Sequence, residues 1–191
     1  MITVRGLAKR YGDRRVLRNL DLEVEDGGFL LVTGPNGSGK TTLLRILAGL
    51  VAPSAGEVHL PPRATIGYLG HAPLVYRELS ALENLTLFGR LYAIDERAEH
   101  IGMLLERFGL WEVRHDRVAT FSRGMQQRLG LCRALLHEPK LLVLDEPANA
   151  LDAAGLELLQ EVLAENARTF VVATHEPRHV ESLATARLAL A

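Results

Sequence analysis

The run from Gly34 to Thr41 constrains the fold of this chain more than any other stretch. It reads G-P-N-G-S-G-K-T and matches the pattern G-x-x-x-x-G-K-[ST] in full. An apolar, strand-like run over residues 29–32 precedes it, and a helix-like run over residues 41–50 follows it. This strand–loop–helix context is the one in which the pattern forms a phosphate-binding loop. The alternative is a chance glycine-rich turn before a helix, with Lys40 in solvent.

Separate roles are expected for the residues of this loop. Its glycines let the chain curl so that backbone N–H groups point at phosphate oxygens, and the following helix adds its positive N-terminal end. Lys40 is expected to reach the β- and γ-phosphates of ATP, and the Thr41 hydroxyl to ligate Mg²⁺. The nucleotide-contacting residues predicted here are Gly34, Pro35, Asn36, Gly37, Ser38, Gly39, Lys40, Thr41 and Thr42.

Composition narrows the class of protein. A chain of 191 residues with 48% apolar content favours one domain, residues 1–191, with room for an inserted subdomain. Its net charge of −1 gives no reason to expect nucleic acid as a partner. No apolar run approaches the roughly 20 residues of a spanning helix, and no signal-peptide pattern opens the chain. A cytosolic location is therefore expected, with any membrane role supplied by a partner. The single cysteine, Cys132, is expected to be a core residue.

Strand and helix patterns alternate along the chain, which favours an α/β fold with a parallel sheet covered on both faces. The predicted strands cover residues 2–7, 16–25, 29–32, 57–60, 64–69, 140–144 and 169–174, and the predicted helices residues 41–50, 125–137 and 153–166. Between them, residues 80–118 read as helix and loop only. Ser80 and Glu83 form a capping-box pattern, and Asp95 can cap a second helix that ends near Phe108. We interpret residues 80–118 as a helical subdomain.

Two acids follow the apolar run at residues 141–144. Asp145 and Glu146 are expected at the carboxyl end of that strand, where open α/β sheets bind ligands. We assign Asp145 to the metal ion and Glu146 to the water that attacks the phosphate. The alternative is a strand that ends in a solvated acidic turn.

Residues 121–128, which read F-S-R-G-M-Q-Q-R, resemble the LSGGQ signature of the ATP-binding subunits of ABC transporters. Ser122 and Gly124 keep the serine and the second glycine, and Gln127 and Arg128 match the usual tail. The departures from the signature are Phe121, Arg123 and Met125. The resemblance implies that Ser122 and Gly124 of one subunit close over the γ-phosphate held by the other subunit. Taken alone, the segment is only a helix N-cap.

The resemblance covers essentially the whole chain and implies further roles. Tyr11 stands where the family places an aromatic side chain against adenine, although a half-buried turn tyrosine is the equal alternative. Asp152 occupies the position that couples the two sites of the dimer. His175 matches the histidine that contacts the γ-phosphate and holds the attacking water. The remaining histidines have no comparable context and are expected at the surface. The implied fold is the ABC type of P-loop NTPase, with a mainly parallel core, an antiparallel β subdomain and a helical subdomain.

His71 departs from the family pattern, because it stands where a glutamine usually contacts Mg²⁺ and the attacking water. A neutral imidazole nitrogen can act as an acceptor in both contacts, whereas a protonated ring cannot. We therefore predict that ATP hydrolysis weakens in mild acid more in the native protein than in the His71→Gln variant. The pH profile of the ATPase rate for both proteins tests this, and identical profiles would remove the idea.

The pair Gly70-His71, the run L-S-A-L-E-N-L at residues 79–85 and the short chain are similar to the haem exporter subunit of cytochrome c-type biogenesis. The resemblance implies an ATPase on the cytoplasmic side of the membrane, bound to integral membrane permease subunits through residues 71–83, and a homodimer when ATP is bound. The alternatives are the ATP-binding subunit of another small exporter, a soluble ABC ATPase not linked to transport, and an ATP-binding module without turnover.

Overall fold

Two β-sheets of different character frame the molecule. The computed structural model describes residues 1–95, 97–165 and 167–191. The first sheet is antiparallel, with the order β2-β1-β4; these strands are β1 (Ile2–Tyr11), β2 (Arg14–Val24) and β4 (Ala55–His59). The second sheet is parallel, with the order β5-β6-β7-β3-β8; these strands are β3 (Phe29–Thr33), β5 (Ile66–Leu69), β6 (Leu141–Asp145), β7 (Thr169–Ala173) and β8 (Ala186–Ala189). The predicted combination of a parallel core with an antiparallel sheet is confirmed.

In the part of the chain that the structure describes, five α-helices connect and cover these strands. They are α1 (Lys40–Leu47), α2 (Ala81–Leu91), α3 (Arg97–Arg107), α4 (Arg123–Leu135) and α5 (Ala153–Leu163). The capping box predicted at the start of α2 is present: Ser80 Oγ accepts the Glu83 N–H at 3.1 Å, and Glu83 Oε2 accepts the Ser80 N–H at 2.7 Å. Among the described residues, no helix combines the length and the apolar composition needed to cross a bilayer.

Alternate residues of the parallel strands enter two separate hydrophobic cores. In β3, Leu31 joins a core with residues of α3, α4 and α5, whereas Leu30 and Val32 join a core with α1 and the antiparallel sheet. This alternation follows from the twofold side-chain period of a strand. The parallel sheet is thus covered on both faces, which holds its strands rigidly in register. Cys132 is buried in the first core, as predicted.

The carboxyl ends of β3, β5, β6 and β7 lie at one edge of the parallel sheet, because the strands run in the same direction. The phosphate-binding loop follows β3, and the other predicted polar residues follow β5, β6 and β7. The topology therefore brings together segments that are more than 100 residues apart in the chain.

Several element boundaries differ from the prediction. Helix α1 ends at Leu47 rather than at residue 50, and Gly49 has a left-handed φ of 68°. Strand β5 begins at Ile66, because Arg63–Thr65 form a 3-10 turn. Helix α4 begins at Arg123, directly after its N-cap Ser122, rather than at residue 125.

Other differences concern β1, α5 and β8. Strand β1 was predicted over residues 2–7 but continues to Tyr11, so Tyr11 belongs to a strand and not to a turn. Helix α5 ends at Leu163, and Asn166, the predicted end, lies outside the described residues. Strand β8 was not predicted. Its pairing with β3 is tertiary, and the alanine-rich run A-R-L-A carries little strand signal of its own.

Among the remaining histidines, which are expected at the surface, His137 is half-buried. Its Nε2 lies 3.1 Å from the carbonyl oxygen of Ile66, and its ring lies 4.3 Å from the ring of Tyr92 between centroids. Its Nδ1 is buried without a hydrogen-bond partner among the described residues. Burial lowers the pKa of His137 below its usual value, and the hydrogen bond to Ile66 opposes this change. The folded state therefore resists protonation of this ring.

We predict that His137→Gln makes stability less sensitive to mild acid. In the native protein the unfolded chain takes up a proton at a pH of about 6.5, while the folded ring stays neutral. The free energy of unfolding therefore falls as pH decreases through about 6.5 and levels off below the folded pKa. Urea unfolding at pH 7.5 and 5.5 measures this, with the exposed His59 replaced by glutamine as the control. An equal loss of stability in the native and His137→Gln proteins would contradict the assignment.

Candidate nucleotide-binding site

A cavity of about 490 Å³ opens at the carboxyl edge of the parallel sheet. The residues predicted from the sequence that line it are Tyr11, Asn36, Gly37, Gly39, Lys40, Thr41, Thr42, His71, Asp145, Glu146 and His175. They come from five separate segments of the chain. The cavity is therefore where groups expected to bind phosphate, metal and water meet.

The phosphate-binding loop wraps around the side chain of Lys40. The Lys40 ammonium donates to the carbonyl oxygens of Gly34 at 2.7 Å and Pro35 at 3.1 Å, and the residue is buried. Gly39 precedes α1 with a φ of 104°, a conformation that favours glycine, and a Cβ there would lie 2.9 Å from Leu17. The loop thus holds a single cation at the start of α1, where the helix dipole also favours an anion.

Thr41 and Asp145 lie beside the loop and each presents a side-chain oxygen atom. The Thr41 hydroxyl donates to Asp145 Oδ2 at 2.6 Å, and Asp145 is buried. Burial raises the pKa of Asp145 above the usual range of an aspartate, and the Thr41 hydrogen bond opposes that rise. One hydroxyl and one carboxylate next to a phosphate site fit Mg²⁺, which prefers oxygen ligands and completes its shell with phosphate and water.

Glu146 and His175 contact each other at the edge of the same cavity. The His175 backbone N–H donates to Glu146 Oε1 at 3.0 Å, and His175 Nδ1 lies 2.9 Å from Glu146 Oε2. Glu146 has a positive φ of 53°, which is uncommon for a residue other than glycine. Its N–H donates to the Ala173 carbonyl at 2.8 Å, so the last residue of β7 holds this turn in place. The side chain of Glu146 is therefore oriented by both neighbouring segments.

His71 and Tyr11 line the cavity from two other sides. His71 follows β5 and is exposed, and Tyr11 ends β1 with 46% of its surface exposed. The Lys9 ammonium lies 5.0 Å from the centroid of the Tyr11 ring. An exposed ring at the mouth of a phosphate site can stack on a base, as expected for Tyr11.

Ser122, Gly124 and Asp152 do not line this cavity. Ser122 Oγ accepts the Met125 N–H at 3.2 Å and so caps α4, and Asp152 Oδ1 accepts the Gly155 N–H at 2.9 Å and so caps α5. A Cβ at Gly124 would lie 2.8 Å from the Ala150 carbonyl, so the start of α4 contacts Ala150. Ser122 and Gly124 thus lie at the start of α4, beside Ala150, and Asp152 lies at the start of α5; all three are outside the cavity of the same chain.

Three residues that were not predicted from the sequence also line the cavity: Arg14, Val16 and Asn149. Arg14 and Val16 open β2 next to the turn after Tyr11. An Nη of Arg14 lies 3.8 Å from where a Cβ on Gly37 would stand. No sequence signal links β2 to the phosphate-binding loop, because that contact is tertiary. Asn149 lies in the chain between Glu146 and Asp152, and this position between two predicted site residues was the available signal.

Comparisons with known proteins agree with this geometry. Residues 17–149 match the family model described as ABC transporter. The chain is 42% identical over 173 residues to the ABC transporter ATP-binding protein YxlF of Bacillus subtilis, covering 85% of this chain and 59% of that protein. It is 34% identical to the lantibiotic transport ATP-binding protein SrtF of Streptococcus pyogenes, covering 96% of this chain and 84% of SrtF. The fold matches the dimeric, post-hydrolysis structure of the ATP-binding cassette MJ0796 bound to ADP and Pi, with a TM-score of 0.89, 27% identity and coverage of 100% of this chain and 94% of that one.

Proposed function

We propose that this chain, which belongs to the ABC transporter family, binds and hydrolyses ATP to drive a membrane transport system. One observation carries the proposal: Lys40, Thr41, Asp145, Glu146 and His175 converge on a single cavity at the edge of the sheet. A cation for phosphate, oxygen ligands for a metal and a carboxylate for water are the parts that phosphoryl transfer to water requires. The chain spans about three fifths of the length of YxlF.

Each residue of the cavity would have a separate role in ATP hydrolysis. Lys40 would exchange its two carbonyl partners for the β- and γ-phosphates of ATP, and Thr41 and Asp145 would hold Mg²⁺, which neutralises phosphate charge. Glu146 would accept a proton from the attacking water as general base. His175 would orient the Glu146 carboxylate through its N–H and Nδ1 and contact the γ-phosphate.

The second half of each site would come from a second copy of the chain. Ser122, Gly124 and Asp152 lie away from the cavity, at the exposed start of α4 and beside it. A serine hydroxyl and free N–H groups at a helix start can bind the γ-phosphate held by a partner. The dimeric state of the MJ0796 cassette supports this arrangement. Closure on ATP and opening after hydrolysis would then move permease subunits from the cytoplasmic side of the membrane.

For the transport system we propose the haem exporter of cytochrome c-type biogenesis. The support is Gly70-His71 and the run at residues 79–85. The names of the relatives give it no support, since SrtF is named for lantibiotic transport. The ATPase rate of the complex with its permease distinguishes a haem exporter from another small exporter. Stimulation of the rate by haem supports the proposal, whereas stimulation by a peptide and not by haem points to another small exporter.

Two measurements test the proposed function. Phosphate release from Mg·ATP by the purified protein distinguishes an ATPase from a binding module without turnover. Purification from detergent-solubilised membranes, followed by identification of the proteins that remain bound, distinguishes a transporter subunit from a soluble ATPase. A protein that binds ATP but releases no phosphate, alone or with its membrane partner, would contradict the proposal.

A further inference from the structure

Arg133 is a buried cation in the second half of α4. Its Nη2 donates to the Tyr68 carbonyl at 2.6 Å, and its Nε donates to the Pro73 carbonyl at 3.3 Å. Its guanidinium carbon lies 5.3 Å from the centroid of the Phe88 ring on α2. One side chain therefore contacts the end of β5, the loop that follows β5, and the helix α2.

No carboxylate forms an ion pair with Arg133 among the described residues. Its partners are the two carbonyl oxygens, the Phe88 ring and the side chain of Tyr92 at the end of α2. A buried guanidinium without a carboxylate is costly to desolvate, so these contacts must be well formed for the residue to stay buried. Desolvation lowers the pKa of Arg133 from its usual value. The planar guanidinium can bridge two carbonyls at fixed separation, whereas a lysine ammonium on a flexible stem fixes such a pair poorly.

The two carbonyls bracket His71. Tyr68 and Pro73 stand on either side of it in the chain, three residues before and two residues after. The loop also lies directly on α4, since a Cβ at Gly130 would be 2.7 Å from Pro73 and 2.8 Å from Leu69. His71 itself is exposed and makes no hydrogen bond to the described residues. Its position at the cavity is therefore set by the loop that Arg133 holds at both ends.

We propose that Arg133 is a positioning residue that holds His71 at the nucleotide site and links that position to α2. The inference rests on the proposed function, because it concerns a step in ATP hydrolysis. If α2 shifts against the core, the Phe88 contact transfers the shift to Arg133, and the two carbonyl bonds transfer it to the His71 loop. Arg133 thereby adds to the ATPase a residue that touches neither nucleotide nor metal.

The test is a double-mutant cycle between Arg133 and His71 in the intact protein, with its membrane partner if hydrolysis requires one. Arg133→Lys keeps the positive charge but cannot donate to the Tyr68 and Pro73 carbonyls at the same time in the native geometry. We expect kcat to fall by about tenfold or more, as misplacement of a catalytic group does, with the Kd for ATP changed less than about twofold. In the His71→Ala background, Arg133→Lys should lower kcat by less than about twofold, since there is no imidazole left to misplace.

Arg128→Lys is the matched control. Arg128 lies on the same helix and also donates to a carbonyl, that of Phe108 at 3.2 Å, away from the His71 loop. Arg128→Lys should change kcat by the same factor in the native protein and in the His71→Ala variant. If Arg133→Lys does not fold, Arg133→Gln, which keeps one carbonyl bond without a buried charge, replaces it. Equal kcat losses with and without His71, or equal coupling from Arg128, would overturn the proposal, whereas a native protein without ATPase activity would overturn the proposed function instead.

Discussion

Glu146→Gln is expected to lower the rate of ATP hydrolysis by about 10²–10⁴-fold, which is the usual contribution of a general base. The amide has nearly the same shape as the carboxylate but cannot take a proton from water. ATP binding should persist, because Lys40 and the Thr41–Asp145 pair are unchanged. The ATP-bound state should therefore accumulate instead of turning over.

Accumulation of that state should appear as a dimer. Light scattering after size-exclusion chromatography, with and without Mg·ATP, measures the mass of the Glu146→Gln protein directly. Glu176→Gln is the matched control, because Glu176 is next to His175 in the chain and its carboxylate lies 3.9 Å from the same imidazole. The control should retain native hydrolysis. A Glu146→Gln protein that binds ATP and remains monomeric would contradict closure of the dimer on ATP.

The sequence predicts the cavity well because its residues follow strands at recognisable positions. The phosphate-binding loop follows β3 and the two acids follow β6, and each motif has a local spacing that reports its chemistry. The parallel order of the strands then brings the motifs to one edge. Local pattern and topology agree here, so the prediction needed no tertiary contact.

Where the prediction fails, tertiary contacts decide. Strand β8 forms by pairing with β3, and the left-handed conformation of Glu146 is held by the Ala173 carbonyl. His137 looks like any other polar residue at the end of a helix, yet Tyr92 and Ile66 contact it and it is half-buried. Arg133 likewise gives no sign in the sequence of the carbonyls that it bridges. None of these contacts has a spacing or period that a single sequence displays.

Ser122→Asp is expected to lower ATP hydrolysis by more than about 100-fold without unfolding the protein. Asp is as good an N-cap as Ser, so the carboxylate can accept the Met125 N–H and keep the start of α4 intact. If Ser122 also faces the γ-phosphate of a partner subunit, the added negative charge repels it by about 4 kcal/mol at 4 Å and an effective dielectric constant of about 20. Ser122→Asn is the control, because it caps the helix without a charge and should lose much less ATP hydrolysis than Ser122→Asp.

Mixing Ser122→Asp with Lys40→Ala separates a site shared by two subunits from a site within one. In a mixed dimer, the cavity of the Ser122→Asp copy is intact, and the Lys40→Ala copy supplies it with a native Ser122. The cavity of the Lys40→Ala copy lacks the lysine and also receives the Ser122→Asp substitution from its partner. Random pairing makes half of the dimers mixed, so the mixture should recover roughly a quarter of the native phosphate release, although each variant alone is inactive. If both variants fold and the mixture stays inactive, the site shared by two subunits is contradicted. If Ser122→Asp hydrolyses ATP at the native rate, Ser122 only caps α4.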